Sequence, residues 1–393
     1  MRLLICAGGT GGGVYPALAV LQALRAAIQC AEPRDLQVLW VGSVGGMEAE
    51  LVKRAGVDYA EIPAGQLHGV GMRFLPNLLA TGRGYFAART ILRRFQPQAL
   101  FFTGGFVAVP MALAGRKLPS VVYVPDIEPG LALKTLSRFA RRIAVTTEES
   151  RRYFSKSAAV TVTGYPLRSD LVAWERKAAQ EALQLSPDLP TLLVFGGSKG
   201  ARSINTALMA ILPDLLSEMQ VVHITGALDW PAVQDSRNRL AAKLATTGTA
   251  SLLVARYRPY AYLHDEMGAA FAAADLVVCR AGASTLGELP AYGLPAILIP
   301  YPYAWRYQHV NAQYLARRGA AQILADQELP TQLLPLVRQL MRDPQQRARM
   351  QQTMRSLAQP LAAHTIASLL LEYLDVRRWD TSSNIAHPEG RMP

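Results

Sequence analysis

"LLICAGGTGGGVYPALAV", Leu3 to Val20, decides how the rest of the chain is read. A short apolar run opens into a turn with five glycines around Thr10, and a helix follows from Pro16. Glycine lets backbone amides approach an anion closely, and the free N–H groups and dipole at a helix start favour phosphate. The same device returns as "LLVFGGSKGARSI", Leu192 to Ile204. Each turn is therefore a candidate cradle for phosphate or another polar ligand.

Between these two turns, β-rich runs alternate with helical stretches: LQVLWVG, YAEIPAG, ALFFTGG and SVVYVPD. That rhythm predicts βαβ units and a parallel sheet. Beyond Gly164 to Trp174 it restarts with TLLVFGG, VVHITG, SLLVARY, LVVCRAGAST and PAILIPYP. The expected fold class is α/β, with two Rossmann-like domains whose parallel sheets face a central cleft, where open α/β sheets bind ligands. The expected boundaries are residues 1–165 and 166–352, followed by a C-terminal helix over 353–376 and a loose tail over 377–393.

Two better-known glycine signatures do not fit. G-x-G-x-x-G, started at Gly9 and Gly11, needs glycine where Val14 stands, and the second strand ends in Val41-Gly42-Ser43 without a ribose-binding acid. A P-loop needs Gly-Lys followed by Ser or Thr, whereas Lys199 precedes Gly200 and Ala201. A nicotinamide enzyme and a P-loop ATPase are both disfavoured.

With 393 residues, half of them hydrophobic, two domains are the default at roughly 100–200 residues each. Three scattered cysteines form no disulfide framework or metal spacing, which fits a reducing cytoplasm. The opening apolar run is shorter than a signal-peptide core or a membrane span. The net charge of +12 fits a nucleic acid, an anionic membrane face or a phosphorylated substrate, and no RNA- or DNA-binding motif supports the first.

The stretch from Leu276 to Leu315, "LVVCRAGASTLGELPAYGLPAILIPYPYAWRYQHVNAQYL", carries the most chemistry. A strand ends at Arg280; small residues Gly282 to Thr285 then offer backbone donors at a helix start, with Glu288 one turn inside. That suits a nucleoside diphosphate, with phosphates on the helix start and a carboxylate accepting from both ribose hydroxyls.

Together, GGTGG-x-V-x-P-A, GGS-x-GA-R-x-x-N, and C-R-x-GA-x-T-x-x-E with later G-L-P-A and Q-x-x-N-A resemble the MurG family. These N-acetylglucosaminyltransferases have the two-domain GT-B fold and complete the lipid-linked peptidoglycan precursor. The resemblance runs from Leu3 to about residue 325. It implies that UDP-N-acetylglucosamine lies against the second domain. Glu288 would take the ribose, and the turn Ala283, Ser284, Thr285, Leu286 and Gly287 the diphosphate. Gln308 would take sugar hydroxyls, with Asn311 nearby, and Ser198 would also touch the donor. The backbone at His264 would read the uracil edge. Arg168 matches a linker arginine that reaches the donor, and Thr10, Gly11 and Gly12 match the loop facing the sugar or acceptor phosphate.

Inverting transfer needs a base for the acceptor hydroxyl and positive charge or helix dipoles on the departing diphosphate. Arg280, Arg168 and Lys199 are candidates for the second role. No metal or other cofactor is demanded, and no Asp-x-Asp motif stands where sugar-nucleotide metals bind. The family has histidine where this chain has Gly13, glutamine at Lys199, and His-Glu-Gln-Asn where it reads "YVPDIEPG". Asp126 is therefore the expected base and Glu128 the second choice. Membrane docking at the cytoplasmic face is expected of Met72, Arg73, Phe74, Leu75, Leu79 and Arg83, which mix apolar and basic character. The expected partners are UDP-N-acetylglucosamine, a lipid-linked acceptor and an anionic membrane surface, with no nucleic acid. The rival expectations are the same fold acting on a glycolipid, and a non-catalytic sugar-nucleotide-binding scaffold.

Overall fold

Leu3, Leu4, Ile5 and Cys6 are all fully buried, because β1 (Arg2–Cys6) lies in the middle of a sheet covered on both faces. Such strands read as unbroken apolar runs rather than alternating ones. The computed structural model describes residues 1–8, 11–31, 35–46, 48–64, 74–245, 255–303 and 306–374, and leaves the side chains of 74–79 undescribed. The expected tail over 377–393 falls outside these residues.

β1 pairs in parallel with β2 (Gln37–Ser43), Leu4 opposite Leu39, and with β4 (Ala99–Phe102), Leu4 opposite Leu100. β3 (Asp58–Ile62), β5 (Ser120–Val124), β6 (Arg142–Val145) and β7 (Val160–Val162) complete a parallel sheet in the order β3-β2-β1-β4-β5-β6-β7. The second sheet repeats the plan. β8 (Thr191–Phe195) lies between β9 (Gln220–Ile224) and β11 (Leu276–Cys279), in the order β10-β9-β8-β11-β12-β13. β10 is Tyr257–Tyr260, β12 Ala296–Leu298 and β13 Ala321–Ile323.

In each sheet the strand order reverses beside the first strand, between β1 and β4 and between β8 and β11. Crevices open at such reversals, outside the carboxyl ends of the strands. Both glycine turns emerge there.

The helix Gly11–Ala31 buries Val14, Ala17, Leu21, Leu24 and Ile28, spaced three and four apart along one face, against β1, Trp40 and Phe101. Pro16 has no N–H, so the Gly12 carbonyl one turn earlier loses its helical partner. The Tyr165 hydroxyl stands 3.5 Å from that carbonyl.

Two expectations change. The helix expected over 353–376 is two helices, Pro344–Ser356 and Ala362–Leu371, broken where Pro360 cannot continue the hydrogen-bond ladder. The second buries Ile366, Ala367 and Leu370 in the core of the first sheet, so this helix packs on the half in which the chain begins. Fully burying an isoleucine or leucine side chain is worth about 1.5–3 kcal/mol. Of the strand expected in SLLVARY, residues 251–254 lie outside the described residues, 255–256 are helical and β10 begins at Tyr257; it carries Pro259, which an edge strand tolerates.

Candidate active site

Two adjoining cavities lie where the sheets face each other. The smaller, about 150 Å³, is lined by Gly12 and Tyr15 from the first helix, Tyr165 to Arg168 from the linker, and Ser198, Leu263, His264, Ser284 and Glu288 from the second half. The larger, about 1100 Å³, runs between the turn after β1 and the one after β8.

Glu288 stands one turn inside the helix Thr285–Tyr292. Burial pushes its carboxyl up to about 7, while the Ser284 hydroxyl and the Arg168 charge pull the other way. Arg168 lies 5.1 Å from the centre of the Tyr15 ring and 3.3 Å from Asp170. The Tyr15 and Tyr262 hydroxyls meet at 3.0 Å, joining the two halves beside the small cavity.

Asp126 follows β5 and lines the large cleft. Burial raises its carboxyl above the usual range, and Asn311 partly offsets this. Asn311 is itself fully buried and fully engaged. Its Nδ2 donates to Asp126 Oδ1 at 2.8 Å and to the Ala281 carbonyl at 3.2 Å, and its Oδ1 accepts from the Ile127 N–H at 3.2 Å. Asn311 thus clamps the β5 loop to the second half, and its polar atoms face protein groups rather than the cavity.

The other expected positions divide clearly. Arg168, His264 and Glu288 line the small cavity, Gly12, Ser198 and Ser284 line both, and Arg280, Ala283, Thr285 and Gln308 line the large one. Gly11 begins the first helix, and Thr10 lies outside the described residues. Leu286 is buried in the second core, and a Cβ on Gly287 would come within 2.7 Å of Tyr165, so neither presents a side chain to the cavities. The Thr285 hydroxyl donates to the Gly282 carbonyl at 2.6 Å, and Gln308 Oε1 accepts from the Tyr301 N–H at 2.8 Å.

Arg280 is not the free cation expected. Its guanidinium pairs with Asp326 and donates to Ser203 Oγ at 2.8 Å and to the Ile299 carbonyl at 3.3 Å. Glu128, unlike Arg280, does not line the cleft; it grips the Arg306 guanidinium at 2.6–2.9 Å. Of the expected membrane-facing set, Met72 and Arg73 lie outside the described residues, as do the side chains of Phe74, Leu75 and Leu79. Arg83 is exposed on the helix Phe74–Phe95, near exposed Phe86 and Arg89. Among the described residues no helix is long and apolar enough to cross a membrane.

Sequence reasoning missed Tyr15, Tyr262, Asp326 and Arg306. Tyr15 was open to discovery, since it follows the glycines by two residues and heads the helix that faces the cleft. Nothing local marks the others.

The model for the glycosyltransferase family 28 N-terminal domain matches residues 3–145, and that for its C-terminal domain matches 191–366. A relative from Roseiflexus sp. (strain RS-1) is 39 % identical over 96 % of each chain. One from Desulforudis audaxviator (strain MP104C) is 37 % identical over 94 % of this chain and 98 % of its own. Both are named UDP-N-acetylglucosamine--N-acetylmuramyl-(pentapeptide) pyrophosphoryl-undecaprenol N-acetylglucosamine transferase. The crystal structure of Acinetobacter baumannii MurG superposes with a TM-score of 0.70 at 27 % identity, over 94 % of this chain and 99 % of its own. Glycine turns at both sheet reversals, a helix-borne carboxylate between the halves and relatedness along nearly the whole length agree: the chain belongs to the MurG family of GT-B glycosyltransferases.

Proposed function

We propose that the protein transfers N-acetylglucosamine from UDP-N-acetylglucosamine to a muramyl-peptide carried on a polyprenyl diphosphate, with inversion at the anomeric carbon. The observation that carries this reading is Glu288, a buried carboxylate at a helix start in a cavity that also contains Ser198, Arg168 and His264. Ionised, it accepts from both ribose hydroxyls, and the N–H groups opening its helix meet the diphosphate.

The sugar then projects into the larger cleft, where Asp126 is the ionisable group on the first-domain side among the described residues. Asp126 takes the proton of the acceptor hydroxyl as that oxygen attacks the anomeric carbon. The bond to the β-phosphate oxygen breaks, and UDP departs with the electron pair. Burial makes the Asp126 carboxylate a stronger base than a solvated one. The donor is a co-substrate, and the reading calls for no metal or other cofactor.

The exposed Arg83, Phe86 and Arg89 support peripheral attachment to an anionic membrane at the cytoplasmic face, where such an acceptor would be met. The test is UDP release by purified protein offered the lipid-linked muramyl-peptide or a glycolipid. Release with the first alone is expected. Release with the glycolipid alone would replace the acceptor, and tight UDP binding without release on any acceptor would leave only a binding protein.

A further inference from the structure

Three basic side chains line the larger cleft, Lys199, Arg202 and Arg280, and two of them already have partners. Arg280 is paired with Asp326, and Arg202 Nε lies 3.2 Å from Asp229 Oδ1. Asp229 is held in turn by Asn205 Nδ2 at 3.0 Å, while the Arg202 side chain itself is 85 % exposed. Arg168 lines only the smaller cavity and is shared between Asp170 and the Tyr15 ring. Lys199 is exposed and has no ion pair among the described residues.

Among the described residues the first-domain wall contributes no cation. Its described lining is glycine, Thr103, Pro125, Leu133 and the acidic Asp126. Arg280 is buried against Asp326 and Arg202 is tied to Asp229 through Nε, so among the described residues Lys199 is the cleft cation with no carboxylate partner.

The backbone fixes where that side chain starts. Gly200 has φ +78°, and a Cβ there would fall 2.2 Å from the Thr225 carbonyl oxygen, so the turn is held tightly against β9. Lys199 therefore leaves the chain three residues before the helix Arg202–Leu216, whose unpaired N–H groups favour the same anion.

We propose that Lys199 is the counter-charge for a diphosphate in this cleft. This rests on the transfer reading above, which supplies two sources of that chemistry: the departing UDP and the lipid diphosphate of the acceptor. A lysine suits the role as a compact point charge on a flexible stem, able to follow charge as it builds on a leaving oxygen.

The test compares wild type with Lys199→Gln, Lys199→Met and Lys199→Arg in full kinetics, and measures UDP and UMP affinity by calorimetry at low and high salt. Lys199→Gln and Lys199→Met should lower kcat/KM about tenfold, less than a buried donor would cost because Lys199 is exposed and screened. Lys199→Arg should recover most of the loss, and the gap between wild type and Lys199→Gln should close as salt rises. Weaker UDP binding with unchanged UMP binding assigns Lys199 to the leaving diphosphate. A raised KM for the lipid acceptor with unchanged UDP binding assigns it to the acceptor. Unchanged kinetics in Lys199→Gln, or UDP and UMP weakened alike, would overturn the proposal. If wild type turned over no donor, the transfer reading would fail, while the UDP–UMP comparison would still decide the role of Lys199.

Discussion

The two glycine turns occupy equivalent places in their sheets and keep different company. The second is backed by a connected polar network. His223 is fully buried, and burial pulls it down to about 3, so it is neutral. Asn205 directs its amide N–H groups at the Thr225 carbonyl and Asp229, which leaves its oxygen to accept from His223 Nε2–H at 2.9 Å. The other ring nitrogen then accepts from the Tyr257 hydroxyl at 2.8 Å. Through Asp229 this chain ends on Arg202 at the cleft. The first turn is backed by separate contacts rather than a connected network: the Thr103 hydroxyl donates to the Gly13 carbonyl at 2.6 Å, Trp40 Nε1–H to the Ala7 carbonyl at 2.9 Å, and the Tyr165 hydroxyl stands 3.5 Å from the Gly12 carbonyl. One half of the site is pre-organised by side chains; the other offers backbone, open space and Asp126.

Asp126→Asn breaks the comparison at its most sensitive point. The substitution keeps an oxygen for Asn311 to donate to and removes only the ability to take a proton. Turnover should fall by about 10²–10⁴, the range for losing a general base, while the KM for the donor changes little. Because burial raises Asp126, wild-type activity should climb with pH over a range above that of a solvated aspartate, as the carboxyl deprotonates. The variant should lack that rising limb. Near-wild-type turnover would remove Asp126 from the mechanism.

This asymmetry also governs what the sequence reveals. Both sheets are legible because strand, glycine turn and helix are local patterns, repeated twice with the same spacing. β13 is harder to see, since Ala321-Gln322-Ile323 is three residues long and only partly apolar. Glu288 and Ser284 are legible because a helix start defines its own chemistry. Asn311 is not: its position suggests sugar contact, yet its partners lie 185 residues away on the β5 loop and 30 residues away in the turn after β11. The pairing of Arg280 with Asp326 is equally non-local. It depends on β13 taking its place beside β12, which brings the loop after β13 near the end of β11. Charges can be counted from a sequence, but their neutralisation is a tertiary property.

Glu288 gives the next largest effect, on the donor-side half. Losing hydrogen bonds to a charged acceptor costs about 1.5–3 kcal/mol, so Glu288→Gln should weaken UDP binding roughly 10- to 100-fold. The sign of the pH effect follows from the carboxyl standing near 7. Only the ionised form accepts from both ribose hydroxyls, so binding should tighten as pH rises through about 7, and binding near that pH should release a proton. Calorimetry in two buffers of different ionisation enthalpy reads the release directly. A flat affinity from pH 6 to 8 would mean that burial had not raised this group.

The smallest effect concerns the glycines themselves. Gly200 cannot take a side chain without moving the Thr225 carbonyl, so Gly200→Ala should lower the thermal midpoint. Gly13 is different. It lies within the helix Gly11–Ala31, and a Cβ there would meet the Thr103 carbonyl oxygen at 3.4 Å, an ordinary contact. Alanine is favoured over glycine inside a helix by about 1 kcal/mol, so Gly13→Ala should hold or raise the midpoint by a few degrees at most. A fall would show that the first turn demands glycine at Gly13 as strictly as the second does at Gly200. A rise would mean that the backbone tolerates a side chain at Gly13, and that its absence there matters for the space it leaves beside Asp126.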